Sequence, residues 1–175
     1  RVAPNKAHHD LIAAVRTLRE LHSDDAHLHF VGTDGPPGYR KVVETIVTHA
    51  GMRDHVTFHG SVSQEGLVAH YLNADVFCCL SDHEGFCVPV IEAMHHGLPV
   101  VAFDCTAVGE TVGDGGLLLT DKSPSIVAAA LHRVATDSAL AQRLRDAGRR
   151  RANFFDRKVT REQFRQYFST LLESL

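Results

Sequence analysis

Residues 84–104, EGFCVPVIEAMHHGLPVVAFD, set two glutamates, Glu84 and Glu92, in a largely apolar run. A single helix over the whole run would hold Pro89 in its interior, at a cost of about 3 kcal/mol. A short helix that begins near Pro89 and ends at Gly97 avoids this cost, because a proline in the first turn needs no N–H donor. Glu84 then lies in a loop and Glu92 about one turn inside the helix. Both carboxylates are therefore expected to line a single crevice.

Helix and strand patterns alternate along the rest of the chain. Apolar residues recur with a helical period at residues 6–23, where one stripe holds Leu11, Ala14, Val15, Leu18 and Leu21. Further helices are predicted at 39–50, 63–74 and 89–96 and over most of 123–175. Gly51 ends the first of these, and Ser63 caps the second. Short apolar runs predict strands at 27–32, 55–60, 75–81, 99–104 and 116–120, with a loop at 106–115.

This alternation predicts an α/β fold, in which helices cover both faces of a Rossmann-like, doubly wound parallel sheet. We expect one domain over residues 1–175. The chain opens at Arg1 without a methionine, so we also expect that a first strand and an N-terminal domain of a longer protein are absent. The C-terminal helix at 156–175 is expected to pack either across an interdomain cleft or onto the sheet, and its pattern does not choose between them.

The composition narrows the class of protein. The 175 residues are 44% hydrophobic and 22% charged, with a formal net charge of -3, which is typical of a compact soluble domain and argues against a nucleic-acid partner. No apolar run approaches the roughly 18 residues that cross a bilayer. The four cysteines form no CxxC pair, so we interpret them as small buried side chains in a reducing compartment. We interpret the thirteen histidines as surface residues or as residues that support a site from behind, rather than as metal ligands.

The candidate site lies at the carboxyl ends of the predicted strands, where open parallel sheets bind their ligands. Glycines and acidic residues occupy these ends, at residues 32–34, 60–62, 81–86 and 104–106. The helix that begins near Pro89 offers unpaired N–H groups to a phosphate. Arg1 and Lys6 end the first strand-to-helix connection and can neutralise the same anion. The combination indicates a sugar joined to a nucleotide through a diphosphate.

Several other chemistries lack their motif. The sequence contains no G-x-G-x-x-G for a dinucleotide, no G-x-x-x-x-G-K-[ST] for a triphosphate and no G-x-S-x-G nucleophile elbow. Asp-x-Asp spacing for a divalent metal is also absent, so we expect no metal cofactor. A redox Rossmann domain is disfavoured because the G-x-G-x-x-G motif is missing.

Three segments resemble the retaining glycosyltransferases of family 4, the glycosyl transferases group 1 set. They are RVAPNK at 1–6, VTFHGSV at 56–62 and the segment 84–104, whose Glu84 and Glu92 match the family's pattern of a glutamate, seven residues and a glutamate. The resemblance runs from Arg1 to about residue 155. It implies the GT-B fold, of which this chain would be the C-terminal, donor-binding half.

The resemblance implies a role for each matching residue. Arg1 and Lys6 would clamp the donor diphosphate and stabilise the leaving nucleotide, and with Glu84 they form the predicted catalytic set. Glu84 would accept hydrogen bonds from sugar hydroxyls and orient the sugar. Gly85, Phe86 and Cys87 would offer backbone N–H groups to the sugar or the phosphate. Glu92 would accept hydrogen bonds from the ribose hydroxyls, and Val62 would contact the base.

Two positions depart from the family pattern. Ala7 replaces the common glycine after the lysine, and Gly109 stands where many members have a proline before the residue that matches Glu110. Neither departure removes a charged contact.

The activity implied is sugar transfer with retention, from a nucleotide diphosphate sugar to an acceptor hydroxyl, in carbohydrate biosynthesis. The acceptor (a sugar, lipid or small molecule) would bind the absent N-terminal domain, so this chain alone is expected to turn over little. A cytoplasmic location is expected, and membrane association of the parent through its other half stays open. The alternatives are a nucleotide-sugar epimerase and a non-catalytic nucleotide-binding module.

The proposed site residues each have a simpler interpretation. Glu84 could be an exposed loop acid, and Glu92 could be an acid that favours the helix dipole. Arg1 could belong to a frayed terminus and Lys6 to a solvated helix start. We interpret the arginine run at 149–151 as a solvated face near a helix C-terminus.

Overall fold

The computed structural model describes residues 1–22 and 25–173 and contains parallel strands that alternate with helices. The strands are β1 (Leu28–Val31), β2 (Val56–Gly60), β3 (Phe77–Cys79), β4 (Val100–Phe103) and β5 (Leu117–Leu119). The helices are α1 (His8–Leu21), α2 (Tyr39–His49), α3 (Gln64–Asn73), α4 (Val88–His95), α5 (Val108–Val112), α6 (Pro124–Thr136), α7 (Ser138–Phe154) and α8 (Arg157–Glu173). The predicted α/β class with parallel strands is confirmed.

The strands form two parallel sheets, one of β1 and β2 and one ordered β3-β4-β5. The predicted single sheet is therefore divided between β1 and β3. Residues 2–5 connect the two sheets: Val2 forms a parallel bridge with Asp34, and the Asn5 carbonyl accepts a hydrogen bond of 2.9 Å from the Asp82 amide. The start of the chain thus lies beside the carboxyl ends of both β1 and β3.

One hydrophobic core crosses both sheets. Phe30 and Val56 of the first sheet belong to the same buried cluster as Val101 and Leu119 of the second, together with Ile12 of α1. A second cluster lies beneath α4, whose Val90, Ala93 and Met94 are buried against β4 and α5. Packing of this face orients α4 and leaves Glu92 on its partly exposed side.

The predicted helix boundaries hold well at α2, α3 and α4. α2 ends just before Gly51, whose φ of +70° is the left-handed conformation expected after a helix. The Ser63 hydroxyl caps α3 by accepting from the Gly66 amide at 3.1 Å. α4 begins at Val88 with Pro89 in its first turn and ends before Gly97, as the sequence predicts.

Three local predictions were wrong. The predicted loop at 106–115 contains α5, because Val108, Thr111 and Val112 lie on one face and are buried. Leu21 is 63% exposed and does not join the apolar stripe of α1. That helix also starts later than predicted, since residues 4–6 form a 3-10 turn that ends at Ala7, a left-handed residue with φ 48°. Its predicted end at Ser23 lies outside the described residues.

The C-terminal helix α8 follows α7 and exposes its apolar side chains, including Phe164 at 70% and Tyr167 at 79%. Packing of this helix onto the sheet was one of the two placements expected, and these exposed side chains do not support it. The last two residues of the predicted helix lie outside the described part. Among the helices described, none combines the length and the apolar character that a membrane span requires.

Candidate active site

The candidate site is built on the connection from β3 to α4. Leu80 and Ser81 continue β3 inward and are almost completely buried. Glu84 is only 8% exposed, whereas Phe86 between it and α4 is 44% exposed. Cys87, the residue before α4, is buried and left-handed, with φ 63°. The connection therefore turns its glutamate inward and presents residues 85–86 to the outside.

Lys6 and Glu84 form an ion pair at this site although they are 78 residues apart. The Lys6 ammonium lies 2.5 Å from Glu84 Oε1, with the lysine side chain 27% exposed and the glutamate 8% exposed. The turn at residues 4–6 places the lysine, because Pro4 starts it and the left-handed Ala7 redirects the chain into α1. A cation and a carboxylate at the predicted crevice are thus brought together, which excludes the interpretation of Glu84 as an exposed loop acid.

Asn5 and Thr106 hold the backbone around Glu84. The Thr106 hydroxyl accepts from the Glu84 amide at 2.9 Å and donates to the Glu84 carbonyl at 2.8 Å. The Asn5 side-chain amide donates to the His83 carbonyl at 3.0 Å. The sequence placed Thr106 at a strand end of the candidate site and Asn5 in the segment 1–6, but it gave neither residue a role, because their hydrogen bonds come from other segments of the chain and leave no spacing pattern.

The unpredicted helix α5 supports Phe86. The Thr111 hydroxyl donates to the Phe86 carbonyl at 2.7 Å, and Arg151 donates to the carbonyls of Thr111, at 3.1 Å, and Glu110. The Phe86 ring also meets the edge of Phe155 at 5.2 Å. The interpretation of 149–151 as a solvated face was therefore wrong for Arg151, whose donors satisfy carbonyl groups at the end of a helix.

Glu92 receives a hydrogen bond from Tyr71, a residue that the sequence did not single out. Tyr71 Oη lies 2.9 Å from Glu92 Oε2, and its ring stacks on His96 with centroids 5.6 Å apart. Burial, and then the neighbouring carboxylate, raise the pKa of Tyr71, so the hydroxyl remains a donor. Tyr71 thereby fixes the direction of the Glu92 carboxylate.

Arg1 and Val62 lie at the neighbouring strand ends. Arg1 is exposed, and its backbone lies so close to Gly32 that a Cβ added there would be 2.8 Å from Arg1 N. Val62 is half-buried just before α3. No bond from either side chain to the Lys6–Glu84 pair is present in the residues that the structure describes.

Lys122, which follows β5, restrains the β3–α4 connection. Its ammonium contacts the Asp82 carboxylate and lies 2.7 Å from Asp10 Oδ2. It also lies 5.3 Å from the centroid of the Phe103 ring. Burial lowers the pKa of Lys122, but the hydrogen bonds and charges of Asp10 and Asp82 together outweigh it, so the pKa is raised. Lys122 was missed because it follows β5, far from the motifs.

The two departures from the family pattern have structural explanations. Ala7 is completely buried and adopts φ 48° and ψ 47°, a conformation that favours glycine. At Gly109 an added Cβ would lie 2.1 Å from Asp104 Oδ1. A proline at this position would therefore require the Asp104 side chain to move.

Cys79, Glu84 and Cys87 form the group that comes nearest to a metal site within the described part of the chain. Their potential ligand atoms lie within 4.8 Å of one another, and all three residues are buried. Glu84 already pairs with Lys6, and Cys87 shares a hydrogen bond with Cys79. That bond lowers the pKa of Cys79 and raises the pKa of Cys87. The absence of a metal cofactor stays a prediction.

A shallow cavity elsewhere in the fold lies between α1 and α2 and has a volume of about 200 Å³. Ile12, Ala13 and Ile46 line it together with Arg16 and Glu20. The latter two are an exposed ion pair with 2.8 Å between Nε and Oε1. Because none of these residues borders the β3–α4 connection, we do not assign the chemistry to this cavity.

Comparison with known proteins identifies the architecture around this site. The family model described as "Glycosyl transferases group 1" matches residues 1–151. An MMP alpha-(1->4)-mannosyltransferase of Mycolicibacterium hassiacum is 35% identical over 152 residues, covering 85% of this chain and 36% of the relative. A GDP-mannose-dependent alpha-(1-6)-phosphatidylinositol monomannoside mannosyltransferase of Mycobacterium tuberculosis is 34% identical, covering 85% and 40%. The chain thus spans about two fifths of the length of these relatives.

Solved structures share the fold along the whole chain. A sucrose-phosphate synthase from Thermosynechococcus elongatus superposes with a TM-score of 0.83 and 28% identity, covering 100% of this chain and 44% of that one. HepE from Anabaena, solved in complex with UDP-glucose, gives a TM-score of 0.82 and 25% identity, with coverages of 100% and 47%.

Proposed function

Because this chain belongs to the glycosyl transferases group 1 family, we propose that it is the donor-binding half of a retaining glycosyltransferase of the GT-B fold. In this proposal the whole protein moves a sugar from a nucleotide diphosphate sugar to an acceptor hydroxyl. Residues 1–175 are one domain, and the acceptor, a sugar, lipid or small molecule, binds an N-terminal domain. The names of the relatives and of the solved neighbours make GDP-mannose and UDP-glucose the first donors to test.

The observation that carries this proposal is the Lys6–Glu84 pair next to the start of α4. A diphosphate needs cations and N–H donors, and Lys6 and the α4 N-terminus offer both. A sugar needs hydrogen-bond acceptors, and Glu84 offers a carboxylate fixed in direction by the bonds around its backbone. The phosphate-binding groups and the Glu84 carboxylate are adjacent, as are the diphosphate and the sugar of such a donor.

The proposed chemistry is electrostatic. Breaking the anomeric C–O bond leaves positive charge on the sugar and negative charge on the diphosphate. Lys6, Arg1 and the α4 N-terminus stabilise the leaving diphosphate, while Glu84 orients the sugar. The acceptor hydroxyl attacks from the face that the diphosphate leaves, and the phosphate assists removal of its proton. No step needs a metal.

The nucleoside contacts extend from α4 to β2. Glu92, held by Tyr71, accepts hydrogen bonds from the ribose hydroxyls, and Val62 packs against the base. Gly85, Phe86 and Cys87 offer their backbone amides to sugar or phosphate. We also propose a cytoplasmic location, supported by four cysteines that are all free.

A ligand-detected NMR screen of UDP-, GDP- and ADP-sugars tests the proposal. We expect at least one donor to bind, and Glu92→Ala to weaken it by at least ~1 kcal/mol, because the ribose hydroxyls lose a charged acceptor. Glu20→Ala, which removes an exposed acid of α1, is the matched control and should bind as the unaltered chain does. Equal binding by Glu92→Ala would remove the ribose assignment. In the whole protein, an isomerised sugar nucleotide as the product would favour an epimerase instead.

Gly85→Ala is expected to reduce donor affinity by roughly tenfold, equivalent to ~1.4 kcal/mol, while leaving the fold intact. An added Cβ at Gly85 meets no atom within 4 Å, so the free energy of unfolding should change by less than about 0.5 kcal/mol. The same space is where the donor would approach the backbone. Titration calorimetry and urea unfolding of the one variant measure both quantities. A donor affinity unchanged by the methyl group would contradict close approach at this glycine.

A further inference from the structure

Two buried thiols face each other within the candidate site. Cys79 ends β3 and Cys87 precedes α4, and their sulfur atoms lie 3.7 Å apart. Cys79 is 7% exposed and Cys87 is 5% exposed. This separation is a contact between two sulfurs with no other atom between them. It is close enough for a bond to form once the β3–α4 connection shifts by roughly 1.7 Å.

We propose that Cys79 and Cys87 are a modification site at which a hydroperoxide forms a reversible disulfide, and that this bond weakens binding of the nucleotide-sugar donor. The first half stands on the geometry of the two thiols alone. The second half rests on the proposed function, because it concerns the residues that would hold the donor.

The reaction balances without a metal or cofactor. The Cys79 sulfur attacks one oxygen of the hydroperoxide and breaks the O–O bond, which leaves a sulfenic acid on Cys79; the departing alkoxide takes up the proton that the thiol gives up and leaves as an alcohol, or as water when the oxidant is hydrogen peroxide. The Cys87 sulfur then attacks the Cys79 sulfur, the S–O bond breaks, and the departing hydroxide leaves as water with the Cys87 proton. Two thiols are oxidised by two electrons in all, and one hydroperoxide is reduced to alcohol and water.

The surroundings favour this order of attack. The hydrogen bond that Cys79 shares with Cys87 lowers the pKa of Cys79, and the thiolate is the nucleophilic form. Ser81 Oγ lies 3.5 Å from the Cys79 sulfur and is a second hydrogen-bonding neighbour. Cys87 lies next to the exposed Phe86, so the pair is close to the surface from which a small oxidant arrives.

The other two cysteines are less well placed. Cys78 lies on the opposite face of β3, where it packs against the core cluster that includes Phe30, whereas Cys79 belongs to the cluster beneath α4. The Cys105 thiol donates to the Ser81 carbonyl at 2.8 Å. The two residues therefore serve as internal controls.

A disulfide would move the residues proposed to hold the donor. A normal S–S bond of about 2.05 Å requires the two sulfurs to approach by roughly 1.7 Å. Glu84 and Gly85 lie inside the loop that the bond would close, and Cys87 carries the left-handed turn that starts α4. Movement of this turn changes the direction of Glu84 relative to Lys6 and of the first N–H groups of the helix.

The experiment treats the chain with hydrogen peroxide and locates the bond by mass spectrometry. Cleavage after glutamates yields peptides 66–84, 85–92 and 93–110, which hold Cys78 with Cys79, Cys87, and Cys105, respectively. We expect a product about 2 Da lighter, with 66–84 linked to 85–92 and the link removed by dithiothreitol. Cys78→Ser should retain the link and thereby assign it to Cys79, and Cys105→Ser should also retain it. Cys87→Ser should lose it.

Donor titration of the reduced and oxidised chain then tests the second half. We expect the oxidised form to bind at least tenfold more weakly and dithiothreitol to restore the affinity. A link from 66–84 to 93–110, or oxidation to sulfinic acid without any link, would overturn the proposal even if Cys87→Ser failed to fold. A correct link with unchanged donor affinity would overturn its second half. If the reduced chain bound no donor, the proposed function would fail, while the mapped disulfide would still decide the first half.

Discussion

Replacement of Lys6 by methionine is expected to raise the dissociation constant for a nucleotide diphosphate sugar by roughly 10- to 100-fold, or ~1.4–2.8 kcal/mol. Lys6 forms an ion pair with Glu84. In our proposal the Lys6 ammonium also binds the donor diphosphate, and its contact with Glu84 becomes weaker when the donor is bound. Methionine keeps an unbranched apolar side chain and removes the charge. The measurement is titration calorimetry with the donor that binds the unaltered chain.

The control for this variant is Lys41→Met, which removes one positive charge from the exposed part of α2. It should bind the donor with unchanged affinity, whereas a loss equal to that of Lys6→Met would reduce the effect to net charge. Lys6→Met also leaves Glu84 buried without its cation, which is destabilising. Thermal unfolding must therefore show that the variant is folded at the titration temperature. A folded Lys6→Met chain that binds the donor normally would disprove the diphosphate assignment.

The chain is expected to lose roughly 2 kcal/mol of stability between pH 7 and pH 5 through His8 alone. His8 is 5% exposed and its ring lies 4.8 Å from that of Phe30 and 5.9 Å from that of Tyr39. Burial is the largest cause that lowers the pKa of His8, to about 4. In the unfolded chain the pKa returns to about 6.5.

The direction of this pH dependence follows from the number of protons that the folded and the unfolded chain bind. Between pH 6.5 and pH 4 the unfolded chain binds a proton at His8 that the folded chain excludes, so acid favours unfolding. The contribution of His8 is fully present above pH 6.5 and is lost as the pH falls through 4. Urea unfolding at pH 7 and pH 5, compared with His8→Leu, isolates this residue from the other histidines. Equal losses in both chains would show that His8 is not the group responsible.

The local features of the site were predictable because each depends on neighbouring residues. Pro89 and Gly97 bound α4 through their own backbone preferences, and Ser63 caps α3 with its own hydroxyl. The meeting of Lys6 and Glu84 needed one further step. Parallel strands bring their carboxyl ends to a common edge, which brings together residues 78 apart in the sequence.

The supporting contacts were not predictable for the opposite reason. Thr106, Thr111 and Tyr71 act through one or two hydrogen bonds each to residues 21 to 25 positions away. Isolated threonines and tyrosines have no periodicity that distinguishes such a role from a surface position. α5 was missed because it is short, contains Gly109 and is followed by Gly113, and glycines at this spacing are typical of a loop.

The division of the described strands into two sheets was not predicted, because local patterns do not encode which strands form hydrogen bonds with each other. β1 and β3 each have an apolar strand pattern, and both contribute to one core. At the carboxyl ends of these strands residues 2–5 connect the two sheets, because the Val2 amide donates to the Thr33 carbonyl and the Asp82 amide donates to the Asn5 carbonyl. The same residues lead directly to Lys6, so this junction also positions the proposed diphosphate ligand.

The most direct test of the central claim is an amide chemical-shift titration of the chain with GDP-mannose and UDP-glucose. We expect at least one donor to shift the amides of Lys6, of residues 84–88 and of residues 90–92 most strongly, and Glu92→Ala to reduce its affinity. Saturable binding whose shifts lie instead around the α1–α2 cavity, or no shift with any sugar nucleotide, would contradict a donor site at the β3–α4 connection.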